Sequence, residues 1–258
     1  MEAINTSLDL LNRNTYDRED VVSFYNEANT LLPAERAILR ELTPGIANKK
    51  ILDIGVGGGR TTPYLLDISD DYTAIDYSEE MAKLTAAKYP NAKVLQMDAT
   101  NMAAFDDSSF DLVLFSYNGL DSMTHESRIK IISEVFRVLK PGGRFLFSSH
   151  NRDFHNFNKL PWRWNVKWNL KFVIFVLHCL YHLPKHYKMK KHEVFADDYA
   201  IVNDGDHRFS LLLYYVTIEK QIDQLSKIGF SNVIAHDMQG KPVKSDPSSH
   251  WFHYVAQK

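Results

Sequence analysis

The stretch ILDIGVGGGR, Ile51–Arg60, sets an apolar run containing one aspartate directly before four glycines. A glycine-rich turn between a first strand and a first helix lets the main chain approach a ligand that a Cβ would exclude. It also turns the N–H groups of the helix start toward that ligand. The stretch therefore reads as the opening strand and ligand loop of a nucleotide-binding α/β fold. A dinucleotide fingerprint needs its third glycine three positions after the second, and that position holds Arg60. Gly55, Gly57 and Gly59 are spaced GxGxG instead, which disfavours a nicotinamide cofactor.

Outward from this loop, short apolar runs alternate with helical patterns, as they do in a parallel sheet with crossover helices. The runs are KKILDIG, YTAID, AKVLQMD, FDLVLFS and GRFLFSS. The helical patterns are 62–66, 78–89 with Ser78 as N-cap, and 127–139, which Pro141, Gly142 and Gly143 stop. Five strands in about 100 residues predict a doubly wound, mostly parallel sheet. Residues 1–45 read as a helical cap, with LLPAERAILREL its clearest piece, and 46–150 as the nucleotide-binding core. Residues 151–210 read as an inserted aromatic and basic segment, a substrate lid, and 211–258 as the rest of the same sheet. That last part comprises FSLLLYYVT, a helix between Thr217 and Gly229, FSNVIAHDM and WFHYVAQK.

Asp53 precedes the first glycine by two residues, giving DxGxGxG, and Asp76 ends the second strand twenty-one residues after Gly55, the length of one strand-helix-strand unit. Asp98 falls at the end of the third strand, FDLVLFS follows, and RVLKPGGRFLFS supplies a helix, turn and fifth strand. In this order the five elements, Lys50 to Ser149, resemble the class I S-adenosylmethionine-dependent methyltransferases. The resemblance implies a seven-stranded sheet and S-adenosyl-L-methionine as cofactor. By the same resemblance Asp76 accepts both ribose hydroxyls, Asp98 takes the adenine amino group and the Ala99 N–H faces the ring. Asp53, Gly55, Gly57, Gly59, Tyr77, Met81, Ser116 and Tyr117 complete the expected cofactor site. The implied reaction is methyl transfer to an oxygen or nitrogen of a small, amphiphilic or anionic molecule. A non-catalytic protein that binds a membrane or a partner on the same fold, and an atypical NAD(P)-dependent oxidoreductase, are the alternatives.

The sulfonium already makes the methyl group electrophilic, so the protein chiefly has to hold a nucleophile in line with the C–S bond. A base is needed only where that nucleophile carries a proton. His150 follows the fifth strand directly, at the end that faces the ligand crevice in such sheets, and is the candidate base. Hydrogen bonding to a neighbouring loop is its bland alternative. Tyr214 and Tyr215 alternate faces on one strand, so one of them at most looks into the pocket. Tyr215 is the catalytic candidate, and Tyr214 joins Asn118, Asn151 and Arg152 as acceptor-binding candidates. Tyr16 and Tyr25 lie where related enzymes fold a helix over the cofactor, although core or surface positions are the plainer expectation. No catalytic metal is expected, because Asp121 stands alone in SYNGLDSM and no acid separates His178 from His182.

The chain has 258 residues, 45% hydrophobic and 24% charged, with a formal charge of −2, which argues against a nucleic-acid partner. Its single cysteine, Cys179, can form no disulfide within the chain and fits a cytoplasmic protein. The first twenty residues do not read as a signal peptide. The charge is segregated. Between Asn151 and His192 lie nine cations, Arg152, Lys159, Arg163, Lys167, Lys171, Lys185, Lys188, Lys190 and Lys191, against the one acid Asp153. Setting these aside leaves 21 basic and 31 acidic residues. Trp162, Trp164, Trp168 and KFVIFVLHCLYHL add apolar area beside the charge. Three readings compete for the segment: a lid over an anionic or amphiphilic acceptor, a peripheral membrane contact through 160–191, and a solvated helix packed on the sheet or another subunit.

Overall fold

The computed structural model describes residues 2–163, 166 and 169–258. Trp164, Lys167 and Trp168 of the insertion lie outside the described residues. Three helices come first, α1 (Glu2–Tyr16), α2 (Glu19–Glu27) and α3 (Pro33–Ile46). The alternating core follows as β1 (Ile51–Ile54), α4 (Thr62–Leu66), β2 (Tyr72–Asp76), α5 (Glu79–Lys88), β3 (Lys93–Gln96), β4 (Phe110–Phe115), α6 (His125–Val138) and β5 (Leu139–Asn151). Helix α7 (Leu170–Lys190), strands β6 (Val194–Phe195) and β7 (Tyr199–Val202) and a short turn α8 (Asp206–Phe209) form the insertion. The chain closes with β8 (Leu213–Val216), α9 (Ile218–Ile228), β9 (Ser231–His236), β10 (Pro242–Val243) and β11 (Trp251–Gln257).

All eleven strands belong to one sheet, whose main path runs β3-β2-β1-β4-β5-β11-β9-β10. Strands β1 to β5 are parallel, and β11 enters antiparallel between β5 and β9. Every residue of β1 and β2 is buried, because helices cover both faces of the parallel part. The two main apolar clusters lie on opposite faces, one under α6 and α9 and the other under α3 and α4.

Two boundaries differ from the sequence expectation. Helix α6 begins at His125, where the Thr124 hydroxyl accepts from Ser127 N at 3.2 Å and caps it. Strand β5 is thirteen residues long: it takes in the Lys140–Gly143 turn region because Leu139 already pairs with Phe110 of β4, and it runs on to Asn151 because its far end finds a partner beyond β4. Strand β4 ends at Phe115, and Tyr117 and Asn118 then turn away with left-handed φ of 54° and 57°. That exposes the edge of β5, and β8 takes it in parallel through His150↔Tyr215 and Asn151↔Val216. Strands β7 and β6 extend this branch, so the C-terminal strands split between the main sheet and an annex over the carboxyl end of β4.

Buried polar groups fasten the annex. Arg128 of α6 is wholly buried. It donates to Asp121, to Ser149 Oγ (3.1 Å) and to Gln221 Oε1 (2.5 Å), and its guanidinium sits 4.4 Å over the Tyr214 ring. Removing one partner of such a pair strands the other charge without solvent. Arg128→Met is therefore expected to destabilise the fold by about 3–5 kcal/mol, read as a lowered midpoint in chemical denaturation.

Candidate cofactor and acceptor site

A cavity of about 960 Å³, counted with its open mouth, lies at the carboxyl ends of β1, β2 and β4. Its floor is the glycine loop. Gly57 has φ of +54° and nothing within 4 Å of where a Cβ would stand, so the bare main chain opens on the cavity. Its N–H donates to Asp76 Oδ2 at 2.9 Å, and Ser78 N donates to Oδ1 at 2.9 Å. Burial raises the Asp76 carboxyl to about 6, against the pull of those two bonds. Each oxygen keeps a lone pair for a further donor, as vicinal hydroxyls require.

Asp98, past the end of β3, is bonded by Arg13 of α1 and accepts from Thr100 N at 2.9 Å. Burial works to raise its carboxyl, but these bonds hold it below the ordinary value. The Arg13 guanidinium also lies 5.0 Å over the Tyr77 ring. Helix α1 is itself anchored by Asn12, which donates to Ser122 O (2.7 Å) and Leu212 O (2.9 Å) and accepts from Leu212 N (3.1 Å). Arg60, which displaced the third glycine of a dinucleotide loop, ties that loop to α3 through Glu35 at 2.6 and 2.7 Å. It also donates to Ser116 Oγ at 2.8 Å.

Of the expected cofactor residues, Gly55, Gly57, Asp76, Tyr77, Met81, Asp98, Ala99, Ser116 and Tyr117 line this cavity. Asp53 and Gly59 do not. Asp53 lies beneath the loop, where it accepts from Thr61 Oγ1 (2.5 Å) and Tyr72 OH (3.0 Å), and burial raises it to about 7. Its function is to shape the loop from behind. Gly59 is the packing glycine, for a Cβ there would strike the Tyr89 ring. Tyr16 and Tyr25 do reach the cavity, against the plainer expectation. With Tyr77 and Tyr117 they make a chain of rings with centroids 5.9 to 6.5 Å apart.

The acceptor-side expectations need more correction. His150 is buried and does not line the cavity; its Nε2 lies 3.3 Å from Asn118 Nδ2, and Asn118, expected to bind the acceptor, is likewise absent from the lining between Tyr117 and Gly119. Asp121, which looked isolated in sequence, accepts hydrogen bonds from His150 Nδ1 at 2.8 Å and from the His150 main-chain N–H at 2.6 Å, and is itself held by Arg128 and Ser149. Burial tends to lower the imidazole, yet the Asp121 bond and charge leave it raised above its ordinary value. Tyr214 is core, bonded to His125 and Gln224 at 2.8 Å each. Tyr215 is also buried, its hydroxyl 2.5 Å from Asp204 Oδ2 and 2.8 Å from His250 Nε2. Asn151 and Arg152 line a separate cleft beside α9, with Asn151 bonded to the main chain at Asp246 and Ser249.

Sequence reading missed Arg13, Asp204, His207 and His250, since each acts through a fold contact and no local motif marks it. His207 stands in a left-handed run, 207–209, and meets Tyr16, Phe24 and Tyr25. His150, Asp204 and His250 are the one group among the described residues whose metal-type donor atoms converge, within 4.8 Å. The Tyr215 hydroxyl between two of them and Asp121 on the third account for the group as a hydrogen-bonded network.

Residues 52–147 match the family model described as a methyltransferase domain. Over those residues the chain is similar to methyltransferases, and its fold is the class I methyltransferase fold. The demethylmenaquinone methyltransferase of Clavibacter sepedonicus is 35% identical over 137 residues, 50% of this chain and 54% of that protein. The protein of that name from Leptospira interrogans is 36% identical over 135 residues, 48% of this chain and 49% of that one. The chain thus spans about half the length of the curated relatives it matches. Among solved structures, the Burkholderia thailandensis 1,6-didemethyltoxoflavin-N1-methyltransferase, with its substrate and S-adenosylhomocysteine bound, has a TM-score of 0.62 at 16% identity, covering 98% of this chain and 88% of that one. At that identity the likeness shows the methyltransferase fold alone.

Proposed function

We propose that the protein transfers a methyl group from S-adenosylmethionine to an oxygen or nitrogen of a small amphiphilic or anionic molecule. The observation that carries this is the convergence of the open Gly57 main chain with two strand-end carboxylates, Asp76 and Asp98, on one cavity. Together they suit the hydroxyl pair and amino group of an adenosine, with Ala99 facing the ring. When bound, the cofactor supplies an electrophilic methyl group on sulfur. The chain supplies position and a path for the proton. Ser116, Tyr117 and Tyr16 of the lining define where the acceptor stands, and His150, held behind that lining against Asn118 with its opposite nitrogen kept protonated by Asp121, is the base for the acceptor's proton.

The curated relatives named for demethylmenaquinone support a ring acceptor with apolar character. A single cysteine supports a cytoplasmic setting. Among the described residues no helix is long and apolar enough to cross a membrane; the segment 160–191 is the place for a peripheral contact with a bilayer. Isothermal calorimetry with S-adenosylmethionine, followed by a methyl-transfer screen over phenols, amines, sugars and quinol rings, tests the proposal. Binding heat together with transfer to one class is the expected result. A flat calorimetric trace would overturn it.

A further inference from the structure

Helix α7 presents an apolar face to solvent. Leu170, Ile174, Leu177 and Tyr181 recur at i, i+4, i+7 and i+11, with exposures of 74%, 57%, 60% and 80%. Val173 and Leu180, also exposed, widen the stripe. The opposite stripe, Phe172, Val176, Cys179, Leu183 and His186, faces the protein and supplies the inward packing. Monomeric soluble proteins rarely leave so continuous an apolar surface uncovered. None of the insertion's described residues lines the cofactor cavity, so the geometry gives the lid reading no support.

Charge identifies what covers the stripe. From Phe154 to His192 the sequence holds eight lysines and arginines and no acid. Lys171 flanks the apolar face, and Lys188 and Lys191 continue its C-terminal end, as helical spacing places them. An apolar stripe bordered by lysines, too short to span a bilayer, matches a helix lying in the headgroup layer with its long cationic side chains reaching phosphate. We propose that α7 seats the protein on an anionic bilayer surface.

The seat is coupled to the cavity by short contacts. Lys185 donates to Ser210 Oγ at 2.5 Å, and His186 bonds Asn203 at 2.7 Å and packs on Phe209. All three partners belong to the loop between β7 and β8, whose His207 meets Tyr16 and Tyr25 of the cavity lining. One loop thus separates the lipid-facing helix from the cavity, a short transfer for an acceptor dissolved in the membrane. This last step rests on the proposed methyl transfer, whereas the seating itself does not.

Cosedimentation with phosphatidylcholine vesicles, with and without phosphatidylglycerol, tests the seating, and calorimetry with S-adenosylmethionine on the same preparations keeps the catalytic reading separate. The 258-residue chain should pellet with the anionic vesicles alone and be released by salt. The variant Lys171→Gln/Lys188→Gln/Lys191→Gln should bind them about a hundredfold more weakly, at roughly 1 kcal/mol per lysine. Leu177→Glu should weaken binding while leaving cofactor affinity and circular dichroism unchanged. Native protein that stays in the supernatant, or variants that pellet as fully as the native protein, overturn the proposal. So does a dimer in light scattering that Leu177→Glu converts to monomer, since a second copy would then be what covers the stripe.

Discussion

Asp76→Ala should weaken S-adenosylmethionine binding by about 10²–10⁴, because two hydroxyl donors each lose a charged acceptor worth about 1.5–3 kcal/mol. Isothermal calorimetry on the purified variant reads it directly, and an unchanged dissociation constant would remove Asp76 from the site. The same carboxylate sets a pH dependence. Hydroxyl donors favour the ionised form, so affinity in the native protein should be full above the raised value of about 6 and fall about tenfold per pH unit below it. The sign for stability is the reverse. A carboxyl raised from 3.8 to about 6 contributes stability that is present below its unfolded value and lost as pH rises through 6. At neutral pH the free protein therefore carries a buried charge that the cofactor's donors relieve, and the cofactor should raise Tm more at pH 7.5 than at pH 5. Gly57→Val should also weaken binding, since its φ of +54° is strained for a branched residue.

His150→Ala should slow transfer to a proton-bearing acceptor by about 10²–10⁴ with cofactor affinity nearly unchanged, the loss expected for a general base. Burial disfavours the imidazolium while the Asp121 carboxylate favours it, and the balance lies above the ordinary 6.5. Turnover in the native protein should accordingly rise with pH through a value above 6.5 and then level. Asp121→Asn removes the charge that raises it, so the rising limb should move to lower pH and its plateau should drop. A rate profile that His150→Ala leaves flat and undiminished would reduce the residue to a strut between Asp121 and Asn118.

What could be read without the fold was whatever one local segment decides. The DxGxGxG loop, the carboxylates at the ends of β2 and β3 and the caps at Ser78 and Thr217 all depend on neighbours within a few residues. Backbone sterics and strand-end geometry act at that range. Nine of the eleven expected cofactor residues accordingly line the cavity, and the two that do not, Asp53 and Gly59, belong to the same loop but serve its packing.

The acceptor side was decided by contacts between distant segments. His150 finds Asp121 across 29 positions and Asn12 holds Leu212, just before β8, across 200, as on the cofactor side Arg13 meets Asp98 across 85. Alternation along FSLLLYYVT could limit the pocket to one tyrosine but could not reveal that both are buried, because that depends on β8 pairing with the free end of β5. The exposure of α7 is of the same kind. Its lysines and apolar residues were plain in the sequence, but which stripe faces outward follows from the packing of Cys179, His186 and Met189 against the protein. Periodicity along a chain reveals that a helix has two faces, and only the surface it packs on determines which one meets solvent.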